Sequence, residues 1–316
     1  MGDSSQYKGR GTRGAVSSPS PNRNGRPVLQ VGATGHLGGL VLQELLSRGK
    51  KVRALVRPGS DGSRLPKGVE VVRGDLLDPA SLRSAASDVS AVVTSAIGYS
   101  QRREGDSLRT DREGNRNLVD AAKEARVPRF VLLSILACDQ APDVPHFWAK
   151  KESEDYLARQ GVPFVSLRPG AFLYAPEGGY GQMIRQGLEQ GQVFGMTPEG
   201  IRITYIAPRE VARAIAMAVD EPRALGQKID LGSDRPLSGP EYAAMLGKLL
   251  GRPMRFAPMS GGRGAQDDDM MAMFRFFQTG KYVADTRRQA ELFGPVPRVE
   301  DAARQMLAGL GLLPRK

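Results

Sequence analysis

Cysteine and histidine are scarce in this sequence, and long apolar runs are missing. Among its 316 residues there is a single cysteine, Cys138, and there are two histidines, His36 and His146. A single cysteine excludes an internal disulfide framework and a cysteine-based zinc site, and two histidines form no ligand cluster, so we expect no metal. No apolar run reaches the length of about 18 residues that a membrane-spanning helix needs. We therefore expect a soluble, cytoplasmic protein that does not enter a membrane.

Basic residues outnumber acidic ones, but the excess is not concentrated in the body of the chain. The net charge is +11, and residues 1–26 contribute +4 of it through five basic residues and one aspartate. The remaining +7 is spread over residues 27–316 among many acidic side chains. No basic groove with interleaved aromatic residues is visible, so we do not expect nucleic-acid binding. A mildly basic enzyme that binds a phosphorylated cofactor has this kind of composition.

The first 26 residues are rich in glycine, serine and arginine and offer almost nothing to bury. Such a segment cannot offset its ordering entropy, so we predict a flexible, disordered tail over residues 1–26. It lacks the apolar stretch of a secretory signal, and Gln6 stands where a myristoylation signal needs serine or threonine. A transit peptide and a simple linker both stay open, and the linker is the favoured interpretation.

The rest of the chain begins with short apolar runs that alternate with helical segments. The predicted strands cover residues 28–31, 51–57, 69–73, 91–96, 130–134 and 164–168, and the longest predicted helices cover residues 115–125 and 147–159. This alternation predicts an α/β fold with a Rossmann-type, doubly wound parallel sheet. We assign residues 27–172 to an NADP-binding domain. Residues 173–316 are assigned mostly to a smaller C-terminal substrate-binding lobe, with some elements returning to the sheet.

The sharpest motif is a glycine-rich turn between the first predicted strand and the first helix. Gly32, Gly35 and Gly38 follow the spacing that permits a tight turn, a close approach of the backbone to a pyrophosphate, and tight packing of helix on strand. The phosphate would then lie on the N–H groups at the helix N-terminus. The intervening cofactor-site residues are predicted to be Thr34, His36 and Leu37. His36 is interpreted as an exposed loop residue with no catalytic role.

The end of the second predicted strand indicates which nicotinamide cofactor is used. Arg57 stands 19 positions after Gly38, where NAD-selective sites carry a carboxylate. A guanidinium can instead pair with a 2′-phosphate and stack on the adenine, so we predict NADPH. The alternative is that Arg57 is only a solvated residue at a strand end. Asp75, after the third strand, could accept a hydrogen bond from the adenine amino group or could simply be a turn aspartate.

Several segments together resemble the atypical short-chain dehydrogenases/reductases of the NmrA-like type. They are GATGHLGG, VRALVRPGS, GDLLDPASL, TDREGNRNLVDAAKEARVPRFVLLS, HFWAKKESEDYL and LRPGAF, and the match covers nearly all of residues 27–220. The resemblance implies a Rossmann domain with a smaller lobe that forms the substrate pocket. It also implies that NADP(H) is held by the three turn glycines and six further residues: Arg57, Asp75, Leu76, Ala96, Ile97 and Ser134.

The chain departs from the family's catalytic pattern. Short-chain reductases carry a tyrosine four residues before a lysine. Here Lys150 occupies the lysine position, but His146 replaces the tyrosine, and Leu136 stands where the extended branch has serine or threonine. Lys150 is expected to bind the cofactor. The proton could come from His146, from Lys150 or from water. Equally, His146 could be a surface-loop histidine. Lys151 and Glu154 are interpreted as solvated helix charges.

Two functional hypotheses follow. The preferred one is an NADPH-dependent reductase that transfers hydride to a bulky, polycyclic aromatic ketone or quinone, because hydride transfer depends mainly on positioning. The alternative is a non-catalytic NADP(H)-binding redox sensor that reports to a partner. Residues 254–280 are rich in methionine and phenylalanine and could form either an adaptable lid or the core of the small lobe. The predicted pocket residues are Phe172, Tyr174, Met270 and Phe274. The oligomeric state is left open.

Overall fold

The computed structural model describes residues 25–98, 107–173, 179–195, 197–258 and 268–314. Most of the predicted tail, and Tyr174 of the predicted pocket, lie outside these residues. At the start of the described part, Arg26 forms an ion pair with Asp88 at 2.8 Å.

A seven-stranded, fully parallel sheet forms the centre of the molecule. Its strands are β1 Val28–Val31, β2 Val52–Val56, β3 Glu70–Arg73, β4 Ala91–Thr94, β5 Phe130–Leu133, β6 Phe164–Pro169 and β10 Lys228–Leu231. They lie side by side in the order β10-β6-β5-β4-β1-β2-β3. The chain runs outward from β1 to β3 and then crosses to β4 on the other side of β1. This reversal of direction creates the crevice in which ligands of doubly wound folds bind.

Helices cover both faces of this sheet. They are α1 His36–Ser47, α2 Pro79–Ala86, α3 Asn115–Glu124, α4 Pro145–Gln160 and α6 Pro208–Ala218, and a π-helical turn, Ser107–Gly114, leads into α3. Leu42 of α1 and Ile215 of α6 belong to the apolar core on one face, and Leu118 of α3 and Leu157 of α4 to the core on the other. Burial on both faces explains why the five inner strands are mostly apolar, whereas the edge strands β3 and β10 carry charged residues.

The C-terminal part of the chain adds a second group of elements. These are β7 Ala171–Phe172, α5 Gly179–Glu189, β8 Gln192–Gly195, β9 Tyr205–Ile206, α7 Gly239–Leu250, β11 Arg255–Pro258, α8 Asp268–Phe277, α9 Arg287–Phe293 and α10 Val299–Gly309. Strands β7 and β9, and likewise β8 and β11, form short parallel pairs. Among the helices in the described part of the chain, none is long and apolar enough to cross a membrane.

The core of this second group is continuous with α4 of the sheet domain. Phe147 of α4 lies with Phe276 and Phe277 of α8 and with Tyr282 in one aromatic cluster, with ring centroids 5.8 to 6.4 Å from Phe147. Aromatic rings at such separations pack edge-on or tilted and contribute strongly to a core. Helix α4 is therefore shared between the sheet and the C-terminal elements.

The predicted fold is confirmed, and all six predicted strands are present. The sequence analysis did not identify the seventh strand, β10, which pairs with β6 from Lys228 opposite Ser166 to Leu231 opposite Pro169. It has only four residues, and polar Lys228 and Asp230 alternate with apolar ones. Such a short edge strand has too weak a pattern to be distinguished from a loop.

Candidate active site

The glycine-rich turn requires glycine at two positions for different reasons. Gly32 has a φ of +92°, and a Cβ there would lie 3.0 Å from Ser95 Oγ and 3.2 Å from the Ala96 nitrogen. Gly38 lies so close to the turn that its Cβ would fall 1.8 Å from the Gly32 carbonyl oxygen. The turn therefore packs α1 directly against the end of β1. Both short distances agree with the close backbone packing that the glycine motif predicts.

The N-terminus of α1 has no side-chain cap. Gly35 is the capping residue, in an extended conformation, and its N–H donates to the Gly32 carbonyl at 3.1 Å. Thr34, Gly35 and His36 are exposed and Leu37 is half-buried, so His36 is exposed as predicted, although it begins the helix. A helix N-terminus without a capping side chain, next to a cradle that a Cβ would fill, fits the pyrophosphate of a dinucleotide.

Arg57 lies on an ordered turn at the end of β2. The Ser60 N–H donates to the Arg57 carbonyl at 3.0 Å, and Gly59 has the positive φ of +79° that this turn needs. Arg73, at the end of β3, donates to the carbonyls of both Arg57 and Ser60. Within the described part of the chain, the exposed Arg57 guanidinium has no hydrogen bond or ion pair. Sequence reasoning missed Arg73, which braces the turn.

Asp75 and Leu76 follow β3. The Asp75 carboxylate accepts a hydrogen bond from the Leu77 N–H at 2.8 Å, so the turn role that the sequence left open is observed, and the adenine contact stays a prediction. Leu76 is buried against Gly114. A Cβ added at Gly114 would lie 2.8 Å from the Cβ of Leu76. Its carbonyl accepts from Asn117 of α3 at 2.9 Å. Leu76 therefore joins this loop to the start of α3.

Helix α4 carries three polar residues on one inward stripe, His146, Lys150 and Glu154. Their spacing of four residues places them one above another on one helix face, and all three are buried. Burying charged groups is costly unless they are paired. Each of the three has an oppositely charged or hydrogen-bonding partner on another element: Asp269 for His146, Asp111 for Lys150 and Arg168 for Glu154.

Lys150 is fixed at the carboxyl end of β4. Its ammonium lies 2.9 Å from Asp111 Oδ1 and donates to the Ala96 carbonyl at 3.1 Å. Asp111 is fully buried in the π-helical turn, and its other carboxylate oxygen accepts from the Gly98 N–H at 3.0 Å. The pair therefore ties α4 to the segment that contains Ala96 and the exposed Ile97. Sequence reasoning missed Asp111; a π-helical turn is itself frequent at functional sites.

Of the two alternatives for His146, the surface-loop histidine is wrong. His146 lies in the first turn of α4 and is buried, with Nδ1 2.5 Å from Asp269 Oδ1 of α8. The reason is that Pro145 occupies the first helical position, where its fixed φ and missing N–H are favourable, and does not mark a loop. Asp269 was not identified from the sequence, because it is 123 residues away.

The prediction of Glu154 as a solvated charge is also wrong. Its carboxylate is fully buried and accepts from Arg168 at 2.6 and 2.9 Å and from Ser166 at 2.7 Å, with Lys228 Nζ at 3.1 Å. Burial alone would raise the pKa of Glu154, but the Arg168 guanidinium outweighs it and holds that pKa below its ordinary value. Lys151, by contrast, makes a surface ion pair with Asp155, four residues on.

Ser134 joins the same buried cluster. Its hydroxyl lies 3.6 Å from Cys138 Sγ, and that thiol lies 3.9 Å from the Glu154 carboxylate. Burial raises the pKa of Cys138 to about 12, so the thiol stays protonated and unreactive at neutral pH. The Ser134 side chain is thus part of the Glu154 cluster, and Leu136 is buried in the neighbouring apolar core.

The predicted pocket residues lie in different environments. Phe172 of β7 is exposed over 37% of its surface, whereas Phe274 is buried and Met270 is half-buried. Met270 and Phe274 are four residues apart on α8 and share a face. Phe276 and Phe277, on the same helix, belong to the apolar core with Phe147. Helix α8 therefore packs on the core through Phe276 and Phe277, Phe274 is buried one turn before Phe277, and Met270 at the start of the helix is half-buried.

Known proteins resemble this chain over most of its length. A family model described as NAD(P)H-binding matches residues 32–222. Photosystem II assembly factor Ycf39 of Synechocystis sp. is 29% identical over 257 residues, which are 79% of this chain and 75% of that protein. NAD(P)H azoreductase of Xenophilus azovorans is 29% identical over 239 residues, 74% of this chain and 77% of the relative.

A solved structure supports the fold independently. Citrobacter sp. triphenylmethane reductase, complexed with NADP(H), superimposes with a TM-score of 0.74 at 22% identity, covering 89% of this chain and 100% of that one. At this identity the similarity shows the shared fold. The family match over more than half of the residues shows that the chain belongs to the NAD(P)H-binding family, and the expected resemblance to the atypical, NmrA-like short-chain dehydrogenases/reductases is confirmed.

Proposed function

We propose that this protein is an NADPH-dependent reductase whose substrate is a bulky, polycyclic aromatic ketone or quinone. The observation that carries the proposal is the placement of Lys150. Its ammonium is fixed by Asp111 and by the Ala96 carbonyl at the carboxyl end of β4, next to the glycine-rich turn. The edge at which the order of strands reverses is where doubly wound folds bind dinucleotides.

The cofactor would be held by groups along this edge. The turn glycines and the N–H groups of α1 would hold the pyrophosphate, Arg57 the 2′-phosphate, and Lys150 the ribose of the nicotinamide half. When bound, NADPH supplies a hydride to an electrophilic carbon. The protein's own contribution is to hold that carbon in place and to keep water away.

The substrate class is inferred from α8 and from the relatives. Half-buried Met270 and buried Phe274 make one face of α8 polarisable and aromatic, which suits a large flat acceptor better than a sugar. The azoreductase relative and the triphenylmethane reductase of the same fold are named for aromatic substrates of this kind.

A second candidate function is non-catalytic NADP(H) binding that reports to a partner protein. Two observations favour it: the similarity to an assembly factor, and His146 at the position of the family's tyrosine.

NADPH oxidation by the purified protein separates the two functions. A panel of a polycyclic ketone, a naphthoquinone, an azo dye and a triphenylmethane dye should include at least one substrate. We expect Lys150→Met to lower turnover by a factor on the order of 10², while the neighbouring surface variant Lys151→Met serves as the matched control and stays near the wild type. Tight NADPH binding with no turnover of any acceptor would contradict the reductase and favour the alternative.

A further inference from the structure

His146 and Asp269 form a pair that joins two distant parts of the chain. The imidazole Nδ1 lies 2.5 Å from Asp269 Oδ1, and the same oxygen lies 3.5 Å from the His146 backbone N–H. Only 5% of the histidine side chain and 15% of the aspartate side chain are exposed. The imidazole also packs edge-on against Phe147, with ring centroids 4.7 Å apart. The ring is therefore fixed in orientation by a carboxylate and an aromatic neighbour.

The carboxylate distinguishes the two ring nitrogens. Because Asp269 accepts from Nδ1, the proton that a charged ring can give to another group is the one on Nε2. A carboxylate that holds imidazole in one orientation and one tautomer is a recurrent device of acid–base catalysis. His146 also lies one helical turn before Lys150 on the inward stripe of α4, so both are presented from the same helix face.

We propose that Asp269 is a positioning residue for His146 and that His146 is the proton donor of the reduction. This inference rests on the proposed function. As hydride adds to the carbonyl carbon, the electron pair of the C=O π bond moves to oxygen. The Nε2–H bond then breaks and an O–H bond forms. The substrate is reduced to the alcohol, the cofactor is oxidised, and the neutral ring, still bound to Asp269 through Nδ1, regains its proton from solvent.

The chemistry of two acceptors distinguishes proton donation from hydride delivery. A ketone or quinone must gain both a hydride and a proton. A triphenylmethyl cation becomes neutral by gaining the hydride alone, so its reduction requires no acid. A residue that only supports the fold would affect the two reactions equally, whereas a proton donor and its positioning residue would affect the first much more.

The contact itself can be measured without turnover. The chain has only two histidines, and His36 is exposed at the start of α1, so it serves as an internal reference in imidazole ¹H–¹⁵N NMR spectra. We expect a downfield, exchange-protected Nδ1–H signal from His146 that is lost in Asp269→Asn. The adjacent, exposed Asp268→Asn should retain it. Unchanged His146 signals in Asp269→Asn would overturn the pairing whether or not the protein is an enzyme.

Kinetics of the NADPH-loaded protein then test the role. For Asp269→Asn and His146→Gln, we expect the ratio of naphthoquinone turnover to triphenylmethane-dye turnover to fall at least about ten-fold, against an unchanged ratio in Asp268→Asn. Equal losses on both acceptors would overturn proton donation, as would wild-type quinone turnover in Asp269→Asn. If the dye is not reduced, a quinone loss of less than about ten-fold at unchanged NADPH affinity overturns it. No turnover of any acceptor by the wild type would refute the proposed function, while the NMR result would still decide the pairing.

Discussion

The two ends of the inward stripe on α4 are built in different ways. At one end Glu154 is enclosed by Ser166, Arg168 and Lys228, which all belong to the two neighbouring strands β6 and β10. At the other end His146 is oriented by Asp269 of α8, from a distant part of the sequence. The Glu154 end anchors α4 to the sheet. The His146 end holds the proposed proton donor in a fixed orientation. We therefore expect changes at Glu154 to cost stability and changes at His146 to cost function.

The largest expected effect is on stability, at the anchored end. Glu154→Ala leaves Arg168 buried without its main partner, and such a change costs about 3–5 kcal/mol of the free energy of unfolding. Asp155→Ala removes partly exposed ion pairs with Lys151, at 2.5 Å, and with Lys228, at 3.7 Å, and should cost no more than about 1 kcal/mol. Urea denaturation of both variants checks this. Similar losses in the two would contradict the contrast between the ends of the stripe.

The same anchor should respond to acid with a definite sign. Because the pKa of Glu154 is below its ordinary value of 4.5 in the folded protein, its contribution is complete above that pH and is lost as the pH falls through the lowered folded value. Glu154→Gln should therefore lose less stability than the wild type as the pH falls from about 5 to about 3, a range that includes the ordinary value of 4.5. A steeper loss in the variant would reverse the assigned sign.

The next largest effect is on cofactor affinity, where α1 packs against the end of β1. Gly38→Ala would place a methyl group on the Gly32 carbonyl, so the helix must shift and we expect NADPH affinity to fall by at least about ten-fold. The next residue provides the control, because a Cβ at Gly39 meets nothing within 4 Å. Gly39→Ala should be neutral or stabilising by up to about 1 kcal/mol. Equal affinities in both variants, measured by calorimetry, would mean that the turn does not contact the cofactor.

The exposed cofactor edge should show a change in selectivity without a change in stability. Arg57→Asp replaces a cation with a carboxylate that repels a 2′-phosphate, so the preference for NADPH over NADH should fall by a factor of about 10–100. Arg64→Asp, on the same exposed segment, is the charge-matched control. Titration of each variant with NADPH and with NADH gives the two dissociation constants. Equal affinities of the wild type for the two cofactors would refute the assignment of Arg57 to the 2′-phosphate.

The last prediction is that the Cys138 thiol, next to Glu154, does not react in the folded protein. Since the pKa of Cys138 is raised to about 12, its thiol should resist an aromatic disulfide reagent at neutral pH in the folded protein and react fully once the protein is unfolded. Rapid labelling of the native protein would show that the cluster around Glu154 opens readily.

Features that are determined by residues close together in the sequence could be predicted from it. The glycine spacing from Gly32 to Gly38, the position of Arg57 and the six predicted strands are local patterns, and the structure contains each of them. The partners of α4 could not be predicted in this way. Asp111, Arg168 and Asp269 become neighbours only when the sheet and α8 assemble around the helix.

One signal for the stripe was available. His146, Lys150 and Glu154 share the helix face of Leu157, which is fully buried, so the helical period alone placed three polar groups at core positions. The interpretation of Glu154 as a solvated charge and the surface-loop alternative for His146 are both inconsistent with this period. The identity of each buried partner still required the fold.

The most direct measurement of the central claim is the transfer of deuterium to a carbon acceptor from NADPH that carries deuterium at both C4 positions. With a polycyclic aromatic ketone or a triphenylmethane dye, the hydride would reach a carbon whose C–D bond does not exchange with water, so mass spectrometry of the product reports it. Hydride transfer predicts a product with a single deuterium at that carbon, formed in step with NADPH oxidation. NADPH that binds but stays reduced with every acceptor, or a reduced product without deuterium, would contradict it.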